Sequence, residues 1–218
     1  MKQNLLLLFF LLSMSSLFAQ NYYMESPEGF GAATTGGGSS TPVTVTTYND
    51  LLAEIKSKSP AVILISGIIT IPSGEPIHEV VTNKTLLGLP GAKLVNENQS
   101  NPGAGILSLK PGSDNVIIRN LVFVGPGAYD IDGQDNLTAD CTNLWVDHCE
   151  FQDGQDGNFD NKGKTDNVTI SWCKFTYLKA PKAGGSGGAD DHRFSNLIGS
   201  NKNDSPADGH YNITFKNC

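Results

Sequence analysis

Asn115-Val-Ile-Ile-Arg-Asn-Leu-Val-Phe123, Asn143-Leu-Trp-Val-Asp-His-Cys-Glu-Phe151 and Asn167-Val-Thr-Ile-Ser-Trp-Cys-Lys-Phe175 are copies of one pattern. Asn212-Ile-Thr-Phe-Lys-Asn-Cys218 is a fourth, shorter copy. Each copy opens on Asn and has apolar residues at +1 and +3. A small or apolar residue usually follows at +6, and Phe stands at +8 where the chain reaches it. Alternating apolar positions read as a strand. The copies lie 28, 24 and 45 residues apart, and recurrence at such a period marks a solenoid. Short strands joined by turns, about two dozen residues per coil, predict an all-β, right-handed parallel β-helix. A leucine-rich repeat would need a Leu-x-x-Leu-x-Leu period, which is absent, and an antiparallel sandwich would need hairpin signals. In a solenoid the Asn residues stack about 4.8 Å apart, so their amides are expected to hydrogen-bond along the stack. The widest spacing leaves roughly 20 extra residues for a surface loop, and Ala180–Gly188 is rich in Gly.

Outward from the repeat, the N-terminus reads as an address. Residues 1–19 join an early Lys2, a Leu/Phe run and small residues up to Ala19, the pattern of a secretory signal peptide. A secreted protein is expected, extracellular or periplasmic, with no apolar span that would make the rest of the chain integral to a membrane. Residues 20–42 are a Gly/Ser/Thr-rich lead-in, expected to pack late or weakly. Residues 43–218 form the β-helical domain. Thr47 is placed to cap a short helix near its N-terminal end, with Asp50 in the first turn and a stop before Pro60. Ala61–Ile71 (AVILISGIITI) is β-branched and reads as strand. The formal net charge is −7, which argues against nucleic acid as a partner. A monomer is expected.

Cys149, Cys173 and Cys218 share one repeat position, and Cys141 stands apart. An even count in a secreted chain permits disulfides. The shared register favours the other reading, a column of small buried side chains. Residues 130–160 hold nine carboxylates and no Lys or Arg. Asp156-Gly-Asn-Phe-Asp160 sets two acids around a Gly, and Asp135 falls about one coil earlier. Stacked coils bring such residues to one surface, and three convergent carboxylates suit a hard cation, Ca²⁺. An EF-hand loop is absent, and scattered His residues argue against zinc.

NLWVDHCEF (143–151), DGNFDNKGKTDNVTISWCKF (156–175) and NLIGS (196–200), together with KTLLGLPGAKL (84–94), closely resemble the secreted, calcium-dependent pectate lyases, which have a parallel β-helix fold. The resemblance covers most of the chain after the signal. It implies β-elimination on an acidic polysaccharide, polygalacturonate or pectin, with Ca²⁺ held by Asp135, Asp156 and Asp160. A further family Asp has no clean match, Asp132 being nearest. A family Lys that contacts the substrate carboxylate falls near Arg193 here, with Lys179 and Lys182 as alternatives. Asp147 and His148 of the family's WVDH segment are read as structural.

The family's proton-abstracting Arg lies in an R-x-P-x-x-R-like segment after the NITF strand, and this sequence stops at Cys218 before reaching one. The chain is therefore expected to be the N-terminal portion of a longer lyase, with little activity alone. The alternatives are a non-catalytic calcium- or pectin-binding β-helix, a β-helical polygalacturonase using acids such as Asp190, Asp191 and Asp208, and a purely structural solenoid.

Overall fold

The computed structural model describes residues 26–99, 103–131, 135–199 and 210–218. The signal segment, Asp132 and Asp208 lie outside the described residues. In chain order the elements are β1 (Val43–Val45), α1 (Tyr48–Lys56), β2 (Ala61–Ile65), β3 (Ile68–Thr70), β4 (Ile77–Glu79), β5 (Thr82–Gly88), β6 (Lys93–Val95) and β7 (Leu107–Arg119). They continue with β8 (Val122–Val124), β9 (Leu137–Asp147), β10 (Glu150–Gln152), β11 (Gly157–Asn161), β12 (Asp166–Ser171), β13 (Lys174–Thr176), β14 (Phe194–Ile198) and β15 (Ile213–Lys216).

The pairings between these strands are all parallel, and they define a parallel β-helix. One wall stacks β4, the first part of β7, the first part of β9, β11 and β14. A second stacks β1, β2, β5, the second part of β7, that of β9, then β12 and β15. The third runs β3-β6-β8-β10-β13. The register is the one the sequence copies dictate. Val116 pairs with Leu144, Leu144 with Val168, and Val168 with Ile213. Phe123, Phe151 and Phe175 stack face to face, with ring centroids 4.8 Å and 5.3 Å apart. Phe159 of the facing wall packs on the same column, its centroid 5.4 Å from that of Phe151.

The repeat's opening Asn is chosen chiefly for the corner it turns. Asn115, Asn143 and Asn167 have φ of 57°, 51° and 54°, the left-handed region that Asn tolerates better than most residues. The predicted amide ladder is only partly present. Asn115 Nδ2 donates to Asn83 Oδ1 at 2.7 Å, but Asn143 and Asn212 donate instead to Asp114 and Asp166. A carboxylate one residue before the Asn of the coil below is the stronger acceptor. A second left-handed corner recurs five residues on, at Asn120, His148, Trp172 and Asn217.

Two expectations are corrected. Ala61–Ile71 is two strands on different walls, because the chain turns at Ser66-Gly67, where Gly67 has φ of +76°. The lead-in is a strap, not a loose segment. From Gly29 to Gly37 it crosses coil after coil of the second wall. Phe30 N donates to Thr214 Oγ1, Gly31 N to Thr169 Oγ1, Gly36 N to Asn115 Oδ1 and Gly37 N to Thr85 Oγ1. Its glycines allow this approach: a Cβ on Gly37 would lie 2.1 Å from the Ala61 carbonyl oxygen. The cap on α1 forms as read, Thr47 Oγ1 accepting from Asp50 N at 3.2 Å. The buried Lys84 Nζ then donates to the Ser57 and Ser59 carbonyls at the other end. No helix among the described residues is long and apolar enough to cross a membrane.

Candidate metal and substrate site

The site lies on the wall of β11 and β14. Phe159 pairs with Leu137, which sets Gly157 over Asp135 one coil below and Asp160 over Thr138. Sequence reasoning brought Asp135 and Asp160 together, and the structure does the same. Their carboxylates share one ammonium: Lys162 Nζ is 3.3 Å from Asp135 Oδ2 and 3.1 Å from Asp160 Oδ2. Asp135 is buried, its Oδ2 accepts from Thr138 Oγ1 at 2.7 Å, and its Oδ1 is buried with no hydrogen-bond partner. Burial, and after it the Asp160 charge, pushes the Asp135 carboxyl up to about 7. Burial also raises Asp160, against the pull of Lys162 and of the Leu197 amide, which donates to Asp160 Oδ1 at 3.2 Å. Burial works against the Lys162 charge, yet the two acids outweigh it and hold the ammonium above its usual range.

The Gly of the Asp-Gly-x-x-Asp motif has a spatial reason. A Cβ on Gly157 would lie 2.9 Å from Asp135 Oδ1 and 3.1 Å from Asp160 Oδ1. The space between the two acids is therefore open only because residue 157 has no side chain. An unsatisfied buried oxygen, an all-oxygen donor set and an open space beside it fit a hard divalent cation.

Asp156 stands with a second group. His192 Nε2 is 2.9 Å from Asp156 Oδ1, and His192 Nδ1 is 3.1 Å from Asp130 Oδ1. Ligand atoms of Asp130, Asp156 and His192 all lie within 4.8 Å of one another. Both groups meet at one cavity of about 490 Å³, lined by Asp156, Asp160, Lys162, His192, Phe194, Asn196 and Leu197.

The cations expected from the sequence stand elsewhere. Arg193 is exposed and its guanidinium pairs with Asp191, outside the residues lining this cavity. Its neighbour His192 occupies the place instead. Lys179 Nζ donates to the Gly125 carbonyl at 2.8 Å, and Lys182 lies over the Tyr129 ring. The cation that reaches the acids is Lys162, which sequence reasoning missed. Its signal was the strand period: residues 160 and 162 point to one side of β11 and its continuation. His192 and Asp130 had no comparable signal, since the long loop between β13 and β14 brings them together.

Asp147 and His148 lie in a hydrogen-bonded cluster outside the residues lining this cavity. Asp147 is fully buried and accepts from Ser171 Oγ at 2.6 Å and Arg119 Nε at 2.9 Å, and its Oδ2 lies 2.9 Å from His148 Nδ1. Arg119 also lies 4.4 Å from the Trp145 ring centroid. All four cysteines are free, with Cys141, Cys149 and Cys173 buried in the core.

The fold and site thus define a parallel β-helix with a carboxylate-lined cavity on one wall, and comparison with known proteins gives the family. A family profile described as Pectate lyase matches residues 17–218, and the chain belongs to that family. It is 31% identical over 216 residues to a pectate trisaccharide-lyase of Thermotoga maritima, covering 92% of this chain and 51% of the relative. It is 31% identical over 193 residues to pectate lyase plyB of Emericella nidulans, covering 84% and 50%. The chain thus spans about half the length of these curated relatives. Among solved structures, a pectate lyase bound to a hexasaccharide superposes with a TM-score of 0.61 at 21% identity, covering 86% of this chain and 64% of that one. A Bacillus subtilis pectate lyase mutant gives 0.60 at 21% identity, covering 88% and 65%. These two likenesses establish the fold.

Proposed function

We propose that this chain carries the calcium- and substrate-binding part of a secreted pectate lyase that cleaves polygalacturonate by β-elimination. The observation that carries the reading is Asp135: a buried carboxylate with an unpartnered oxygen, facing Asp160 across the space that Gly157 leaves open. Family membership sets the hydrolase alternative aside.

Asp135 and Asp160 would hold the ion, with Asp156 completing the set at the cavity wall. Bound there, calcium would supply a Lewis acid for the uronate carboxylate and a positive charge between two acidic surfaces. Lys162 offsets the two acids and presents a fixed positive charge at the cavity, where a uronate carboxylate can meet it. His192, with each ring nitrogen on a carboxylate, orients Asp156. The chain is expected to bind calcium and polygalacturonate at this cavity.

Calorimetric titration with calcium tests the binding, with Asp135→Ala and Asp160→Ala as controls. Ultraviolet absorbance of the unsaturated ends tests the chemistry. Absence of calcium binding, or binding indifferent to both substitutions, overturns the assignment.

A further inference from the structure

Away from the metal and substrate site, the second left-handed corner departs once from the residue type it favours. Asn120, His148, Trp172 and Asn217 stand there with φ of 52°, 50°, 52° and 56°. Asn suits that conformation, and a bulky aromatic residue is strained in it. Burial does not explain the choice, since Trp172 is 37% exposed. A coil lies on either side of the ring. Its centroid is 5.8 Å from that of His148, 18° from parallel, and Trp172 N donates to the Lys216 carbonyl at 2.9 Å. A strained, exposed aromatic residue is a mark of binding surfaces.

Trp172 borders a surface cavity of about 410 Å³ where this corner meets the third wall. The corner residues Asn120, His148 and Trp172 line it together with Val122, Glu150 and Lys174, which pair in register on β8, β10 and β13. The ring of His148 is held from behind, its Nδ1 lying 2.9 Å from an oxygen of the buried Asp147. Arg119 offsets the Asp147 charge. Lys174 Nζ donates to Glu150 Oε1 at 2.8 Å, and Lys93 stands in the same column, paired with Val122. The Lys174 hydrogen bond first, and the Lys93 charge with it, lower the Glu150 carboxyl. Two ammonium groups therefore flank one carboxylate, a locally positive patch on a chain of net charge −7.

These groups suit a uronate sugar. Its C–H face packs on an aromatic ring, its hydroxyls bond to amide, imidazole and carboxylate, and its own carboxylate meets an ammonium. A purely apolar ligand would leave Asn120, Glu150 and Lys174 desolvated without partners, and a neutral sugar would leave the positive charge unused. We propose that this corner is a second carbohydrate-binding site, which holds an acidic polysaccharide on Trp172 and Lys174 without a metal ion. The choice of a uronate polymer rests on the function proposed above. The site goes beyond that reading, because it shares no lining residue with the metal and substrate cavity. A polymer held at a second point stays close to the protein between encounters with the first, which raises its effective concentration there.

The test titrates trigalacturonate into the whole chain in EDTA, so that no calcium-dependent site is loaded, and follows backbone and indole N–H resonances by NMR. Saturable shifts at Asn120, His148 and Trp172 are expected, with a dissociation constant of about 1 mM or tighter. Trp172→Asn gives the corner the residue it favours. It should hold Tm within about 2 °C or raise it, and weaken binding at Asn120 and His148 by about 10-fold or more. Lys174→Met should weaken trigalacturonate binding about 3-fold or more, and Trp172→Phe should keep most of it. Asp135→Asn should leave these shifts unchanged. No saturation at this corner, equal binding of neutral cellotriose, or affinity indifferent to both Trp172→Asn and Lys174→Met overturns the proposal. Each of those results leaves the calcium site standing, and loss of calcium binding elsewhere leaves this site standing.

Discussion

Lys162 Nζ stands between Asp135 and Asp160, 3.3 Å from one carboxylate and 3.1 Å from the other. Two acids from adjacent coils would repel strongly in a buried site, and this ammonium makes their approach tolerable. The same cation faces the cavity, so one side chain serves both the fold and the candidate substrate site. Lys162→Met is expected to weaken polygalacturonate binding at least 10-fold, a loss of about 1.4 kcal/mol or more. Calcium binding should survive it, because removing a competing charge from the two carboxylates favours the ion. Titration of each ligand separately checks the split.

The pH dependence of stability follows from Asp135. Its carboxyl is raised to about 7, by burial first and Asp160 second. A carboxyl raised by folding favours the fold only while protonated. Its contribution is full below the ordinary value of about 4 and is lost as pH rises through the folded value. In chelator, Tm should therefore fall between about pH 5 and about pH 8, and Asp135→Asn should flatten that fall. Calcium should restore Tm in the wild type at the upper end and not in the variant.

Gly157→Ala places a methyl group against both acids. The backbone there needs no left-handed conformation, so the fold should tolerate the change to within about 1 kcal/mol. Calcium affinity should drop 10-fold or more, because the Asp135 carboxylate must swing aside. Normal affinity in a folded Gly157→Ala protein would show that the ion sits elsewhere.

Arg119→Met leaves the fully buried Asp147 carboxylate without its guanidinium partner. The expected cost is about 3–5 kcal/mol in chemical denaturation. Trp145 fluorescence should change as well, since the guanidinium lies on its ring.

Phe151→Ala breaks the aromatic column at its centre, where Phe123, Phe175 and Phe159 all meet it. A loss of about 3–5 kcal/mol is expected, larger than for Phe175→Ala on the half-buried neighbour.

The β-helix was legible because its core is written as a repeat. Val116, Leu144, Val168 and Ile213 read as one column before any coordinate is known, and the strand register confirms each step. The turn at Ser66-Gly67 was less legible. AVILISGIITI is apolar on both sides of the corner, so composition alone does not mark where one wall ends. The strap was missed for a related reason: its Gly and Thr residues read as loose. Its order comes from Thr and Asn side chains on four other coils.

The candidate site divides the same way. Asp135, Asp156 and Asp160 were found from spacing and resemblance, and Asp135 and Asp160 do meet. The partners that tune them were not. Lys162 follows Asp160 by one strand period, but His192 comes from a long loop that no local pattern places.

The wall-and-corner plan is written locally, because a period-two apolar pattern and left-handed Asn corners are preferences of short segments repeated in register. Which cation neutralises which acid, and which coils the lead-in crosses, are legible in the folded chain alone. Those choices depend on side chains brought together by stacking and by loop path, where a few ångströms set the electrostatic energy and no neighbouring residue records the outcome.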